Sequence, residues 1–172
     1  MRTFPHSALA LPMLLATVVT AVTLAGCGQS SGVGTSASGQ GTSASGAVPA
    51  QVPASLLHGP LGCPAGTGVL VLQRVAVVLA HLVTVVVARC DSGAGSPPSG
   101  VYVVDGTGAA ARVTDTLVRA DQELQIATVT AVAGGLRATG LGYSGVDVPR
   151  CCPDVHVTLD WRIQGGGLVP TV

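Results

Sequence analysis

The chain has 172 residues, among which eight Arg face seven Asp and one Glu, and it contains no Lys and no Asn. Formal charge is zero and charged residues make up only 9 %, which argues against nucleic acid, whose phosphates demand a basic surface. A hydrophobic fraction of 48 % with low net charge argues equally against wholesale disorder.

The N-terminus has the layout of an export signal. Arg2 supplies a positive start, Ser7 to Ala25 carries no charge, and the stretch closes on Ala25, Gly26 and Cys27. Pro12 and the β-branched Thr17 to Val19 weaken the competing reading of this run as a membrane-spanning helix, which takes about 20 residues. Leu24-Ala25-Gly26-Cys27 resembles the lipobox of bacterial lipoproteins. That resemblance implies a signal peptide over 1–26, cleavage before Cys27, diacylation of its thiol and anchoring on the outer face of the cell membrane. Two or more acyl chains, at about 0.8 kcal/mol per buried methylene, turn transient contact into stable attachment. The competing reading is an ordinary signal peptide that ends beside a cysteine.

Residues 27–55 read as the acylated cysteine and then a tether of Gly, Ser, Thr, Ala and Gln without charge. The duplicated Gly34-Thr-Ser-Ala-Ser-Gly39 and Gly41-Thr-Ser-Ala-Ser-Gly46 have nothing to bury, so they form a spacer rather than a structural repeat. About 25 such residues span roughly 25–30 Å, enough to hold a domain clear of lipid headgroups. One domain is expected over 56–172.

Within it lie Cys63, Cys90, Cys151 and Cys152, an even number that suggests two disulfides in an exported protein. A bond between neighbours Cys151 and Cys152 would close a strained eight-membered ring. The favoured pairings therefore join each member of the doublet to Cys63 or Cys90, in either order. Two rivals compete with these structural bridges: a vicinal disulfide acting as a redox switch, and thiols binding a soft metal with His58, His81 or His156. No Cys-x-x-Cys or paired-His spacing supports a metal site, so neither metal nor cofactor is expected.

Val69 to Ala88 is the most apolar part of the domain and reads as one or two buried strands, with a helix over Gln73 to Ala80 as the alternative. Cys90 to Gly100 is a loop. Asp105-Gly106 and Gly134-Gly135 are hairpin signals, and Thr116 to Glu123 has charge at helical spacing over too short a run to assign. Val155 to Ile163 alternates without error, placing Val155, Val157, Leu159, Trp161 and Ile163 inward and His156, Thr158, Asp160 and Arg162 outward. Gln164 to Gly167 then turns the chain, Leu168 and Val169 pair back, and Pro170 ends the ladder. The expected fold is mainly β, a small antiparallel sheet or sandwich with one short helix, and α+β is the alternative.

No catalytic constellation emerges, so an enzyme is not expected. Gly142-Tyr143-Ser144-Gly145 departs from Gly-x-Ser-x-Gly, His81 sits in an apolar run where a satisfied core histidine is expected, and one Glu excludes a glutamate pair. Asp147 and Asp154 flank the doublet as turn caps. Tyr102, Tyr143 and Trp161 are the aromatics that a binding cleft would use, with alternation placing Trp161 in the core.

The segments Gly142-Tyr143-Ser144, Pro149-Arg-Cys-Cys-Pro-Asp154 and Val157 to Val169 resemble actinobacterial lipoproteins of the LppP/LprE type, which share a Cys-Cys-Pro motif, a strand ending near Trp and a glycine turn. The resemblance covers the last thirty to forty residues. It implies a location in the envelope and carries over no activity and no catalytic residue. The expectation is a membrane-anchored lipoprotein serving as a binding or accessory module for an envelope protein, cell-wall or lipid partner, with a redox-active or metal-binding doublet as the rival.

Overall fold

The structure is a computed structural model, and it describes residues 49–93 and 95–171. The expected signal peptide, Cys27 and nearly all of the tether lie outside these residues. Eight strands succeed one another as an up-and-down meander: β1 Gly68–Val78, β2 Leu82–Asp91, β3 Ser99–Asp105, β4 Arg112–Val118, β5 Gln125–Val132, β6 Gly135–Gly142, β7 Val155–Gln164 and β8 Gly167–Pro170. The first four form one antiparallel sheet in sequence order and the last four a second. Mainly β is therefore the observed class, and the one short α-helix, α1 at His58–Leu61, comes after a 3-10 turn at Ala54–Leu57.

The sheets meet face to face as a sandwich. Val83, Val85, Val87, Val101, Val103 and Val118 from the first pack against Ile126, Val129, Leu136, Ala138, Trp161 and Leu168 from the second. Because residues alternate across a strand, β2 and β3 leave a second apolar row on the outer face, comprising Val86, Ala88, Tyr102 and Val104. A sheet with apolar residues on both faces needs a second cover. Val52, Leu57 and Leu61 from the helical segment provide it, and Ala50 N–H donates to Thr84 Oγ1 at 2.9 Å. Val52, which precedes the helical turns, is itself buried as part of this cover.

The apolar run is two strands, and no helix forms over Gln73 to Ala80. Its β-branched side chains pair from Gly68↔Asp91 to Val78↔Leu82, with the turn at 79–81 closed by Leu79 N–H on His81 O at 2.9 Å. A bulge between Val71 and Gln73 inserts one residue and reverses the inward phase of β1: Val69 and Val71 pack under the lid, whereas Val75 and Val77 enter the sandwich core. The same reversal sends Gln73 toward the second sheet. Its Nε2 donates to Val129 O at 2.7 Å and its Oε1 accepts from Val129 N–H at 2.8 Å, so one amide side chain occupies the free edge of β5 as a strand's backbone would.

The glycine signals resolve differently. Gly165 and Gly166 form the two-residue turn between β7 and β8 with φ of 60° and 78°, values that only glycine adopts without strain. Asp105-Gly106 does lead from β3 toward β4, through a longer connection containing a 3-10 turn at Gly108–Ala110. Thr116 to Glu123 is the end of β4 and then a 3-10 turn at Ala120–Gln122.

Tyr102 is wholly buried beneath the lid, and its ring fills the space where a Cβ at Gly100 would stand. Its hydroxyl has no hydrogen-bond partner, and burial pushes its pKa up to about 12 from 10.0, with Arg119 lowering and Asp121 raising it in lesser measure. Folded protein therefore holds this proton more firmly than unfolded chain, and stability falls as pH rises from 10.0 to about 12. Removing an unpartnered buried hydroxyl should stabilise, so Tyr102→Phe is expected to gain about 1 kcal/mol and to lose this alkaline decline. Urea midpoints compared at neutral and high pH check both, and a variant less stable than wild type at neutral pH would contradict the argument.

Candidate functional site

In a meander, successive connections alternate between the two ends of the strands. The β2–β3, β4–β5 and β6–β7 connections accordingly share one end of the sandwich, and β6–β7 is the longest of them. Two clefts open there. One, of about 400 Å³, is lined among others by Glu123, Leu124, Tyr143, Val146, Val155 and Val157. Beside it a cleft of about 260 Å³ is lined by Pro97, Pro98, Glu123, Tyr143, Arg150 and Cys151, with residues of the 92–96 loop. Glu123 and Tyr143 belong to both, so together they form the wall between them.

That wall is held from several sides. Tyr143 donates its hydroxyl to Arg150 O at 2.6 Å, and Gln125 Nε2 donates to the Tyr143 oxygen at 3.5 Å and to Ser96 O at 3.2 Å. Arg150 Nη2 lies 2.5 Å from Glu123 Oε1. Glu123, at φ 59°, is the one non-glycine in the left-handed region among the described residues. It ends the 3-10 turn at Ala120–Gln122 and so aims the chain into β5.

The β6–β7 loop is tied across its base. Asp154 N–H donates to Gly142 O at 3.0 Å, while Asp154 accepts from Ser144 N–H at 2.9 Å and from Ser144 Oγ at 2.6 Å. Asp154 thus acts as the expected turn cap, and Ser144 Oγ is bonded to a carboxylate rather than a histidine. The Ser144 hydroxyl and N–H hold the Asp154 carboxyl below its ordinary 3.8, against a smaller upward pull from burial. A lowered carboxyl favours the folded loop at pH above the ordinary value, and that contribution disappears as pH falls below 3.8 through the folded value. In a carbon-detected NMR titration, Ser144→Ala should move the Asp154 midpoint upward toward 3.8. An unmoved midpoint would show that the hydroxyl is not the cause.

The cysteines correct the expected pairing. Cys63 is bonded to Cys90, with Cα atoms 5.5 Å apart, and Cys151 and Cys152 are both unbonded and exposed. The reason is topological. Cys63 comes after α1 on the outer face of the first sheet, where it meets the end of β2, whereas the doublet is carried on the β6–β7 loop of the other sheet. The pairings of Cys151 and Cys152 with distant partners are therefore not formed. Cys152 is hydrogen-bonded to Cys151, and that bond, with burial second, holds its thiol above the ordinary 9.0.

The histidines also differ from expectation. His81 is not in the core: it occupies the β1–β2 turn at the opposite end, where its Nε2 lies 3.0 Å from Asp105 Oδ1 and Arg112 Nη2 bonds Asp105 Oδ2. His156 is exposed on the outer face of β7, as alternation predicts, and His58 lies in α1. Among the described residues no group of three or more His, Cys, Asp or Glu comes together. Of the aromatics, only Tyr143 lines the clefts at the doublet end. Tyr102 is sealed under the lid, and Trp161 is buried in the core with one edge on a groove between β4 and β8.

Glu123, Pro97, Pro98 and Val146 line the clefts without any sequence signal that marks them, and Arg150 is marked only by its place in the Cys-Cys-Pro segment. Val155, inward by alternation, is 38 % exposed at the start of β7, where it lines the larger of the two clefts, and Val146 is fully exposed. No periodicity identifies loop residues that converge only when three connections share one end. No family model, curated protein sequence or solved structure matches the chain.

Proposed function

We propose that this chain is a membrane-anchored lipoprotein of the cell envelope, held by acyl chains on Cys27, whose sandwich serves as a binding or accessory module. The partner, an envelope protein, cell-wall or lipid component, meets the end carrying the β6–β7 loop. The observation behind this is the pair of clefts sharing Glu123 and Tyr143, set beside Val146, an aliphatic side chain left entirely in solvent. The lipobox-like Leu24-Ala25-Gly26-Cys27 and the likeness of the Cys-Cys-Pro segment to LppP/LprE-type lipoproteins support the location. Labelling with a palmitate analogue should mark the wild type and fail on Cys27→Ala, and equal labelling would overturn the anchor. Envelope partners retained by wild type should be lost on Val146→Asp, and their retention would move the binding surface elsewhere.

A second reading is favoured by the cysteines. Two bridges to Cys63 and Cys90 would have made the doublet purely structural, and their absence leaves two adjacent exposed thiols with no role in the core. A redox role for Cys151 and Cys152 is the reading that uses them.

A further inference from the structure

We propose that Cys151 and Cys152 form a thiol–disulfide exchange site, with Cys151 the attacking thiol, Cys152 the resolving thiol, and an exposed polypeptide disulfide as substrate. This rests on the second reading above and assigns its nucleophile and substrate class.

The doublet is presented on a fixed turn. Cys152 N–H donates to Pro149 O at 2.9 Å, which places Cys151 and Cys152 third and fourth in the turn, and Pro153 restricts the backbone of Cys152 from the other side. Next to it, Arg150 is gripped twice, through its carbonyl by Tyr143 and through its guanidinium by Glu123. A rigid turn keeps two thiols in mutual reach without tying either into the core.

The two thiols are not equivalent. Cys151 lines the cleft formed with Pro97, Pro98 and Tyr143, whereas Cys152 is not part of that lining. A polypeptide segment laid on this apolar wall brings its disulfide to Cys151 first.

Exchange proceeds in two balanced steps. The Cys151 thiolate attacks one sulfur of R–S–S–R′; the new bond joins Cys151 to R–S, the old bond breaks, and R′–S⁻ leaves and takes up a proton. Cys152 then gives its proton to solvent and attacks the Cys151 sulfur, expelling R–S⁻. The substrate disulfide is reduced by two electrons to two thiols, and the doublet is oxidised to a vicinal disulfide. Its eight-membered ring twists the intervening peptide, so substrate thiols can reverse the step readily.

The test uses the full chain with the doublet reduced, Cys63–Cys90 intact and oxidised glutathione as probe. Trypsin releases residues 151–162 as one peptide holding both cysteines, because Arg150 and Arg162 bound it. That peptide should become lighter by two hydrogens while Cys63–Cys90 is unchanged. Cys152→Ser should accumulate glutathione on Cys151 about tenfold faster than Cys151→Ser accumulates it on Cys152. A peptide that stays a dithiol, or a doublet found bridged to Cys63 or Cys90, overturns both the exchange site and the redox reading. Equal trapping by the two serine variants overturns the assignment of Cys151 and leaves the redox reading standing.

Discussion

Replacing Cys63 and Cys90 together with alanine is expected to lower the stability of the domain by about 3.5 kcal/mol, the loop-closure entropy for a cross-link of this span. The bonded residues are separated by 27 positions. More than chain entropy is at stake, because the bond fastens the end of the lid segment to the sheet it covers. Without it, Val52, Leu57 and Leu61 have only their own burial and the Ala50–Thr84 hydrogen bond to keep them over Val86, Ala88, Tyr102 and Val104. The variant should unfold at lower urea and bind a hydrophobic dye before global unfolding, as the outer apolar face becomes accessible. Reduced wild type should match it, while Cys151→Ser with Cys152→Ser should not. A midpoint unchanged from oxidised wild type would show that lid packing alone suffices.

Gln73→Leu is expected to cost about 2–4 kcal/mol, since it leaves a donor and an acceptor without partners at a partly buried edge. Both groups belong to Val129, whose side chain is buried in the sandwich core. Leucine approximates the volume of glutamine but offers neither atom. Gln73→Glu separates the two halves: its carboxylate can still accept from Val129 N–H but faces Val129 O without a donor, so its loss should also be substantial. Hydrogen exchange at the Val129 amide reports directly, with faster exchange expected in Gln73→Leu than in any variant of equal global stability. Unaltered exchange would mean that the edge of β5 finds another partner.

The importance of Gln73 is hard to read from the chain. Along the sequence it only interrupts an apolar run, and its task depends on the bulge between Val71 and Gln73, which shifts β1 by one residue. A bulge leaves no compositional mark when the residues around it are all compatible with a strand. The β1–β2 turn is equally hidden, since Leu79-Ala80-His81 contains neither Gly nor Pro. An unbroken apolar run puts His81 inside, whereas the turn carries it out to Asp105.

By itself the sequence determined those features that local stereochemistry dictates. Alternation over β7 placed Trp161 in the core and Asp160 on the outer face, where it meets Arg137 at 2.7 Å. Gly134 and the Gly165-Gly166 pair located the β5–β6 and β7–β8 turns, because left-handed φ values exclude most other residues. Valine-rich runs announced a mainly β domain.

Only the tertiary structure decided which cysteines meet and which loops form the clefts. Ring strain favoured joining the doublet to distant partners, but that argument weighs only separation along the chain. The meander instead sets Cys63 over the end of β2 and carries Cys151 and Cys152 out on the β6–β7 loop of the other sheet. Glu123, Tyr143, Arg150 and Pro97 come from three connections that have no common sequence pattern. Sheet order brings them to one end, and long-range packing, not local preference, sets sheet order.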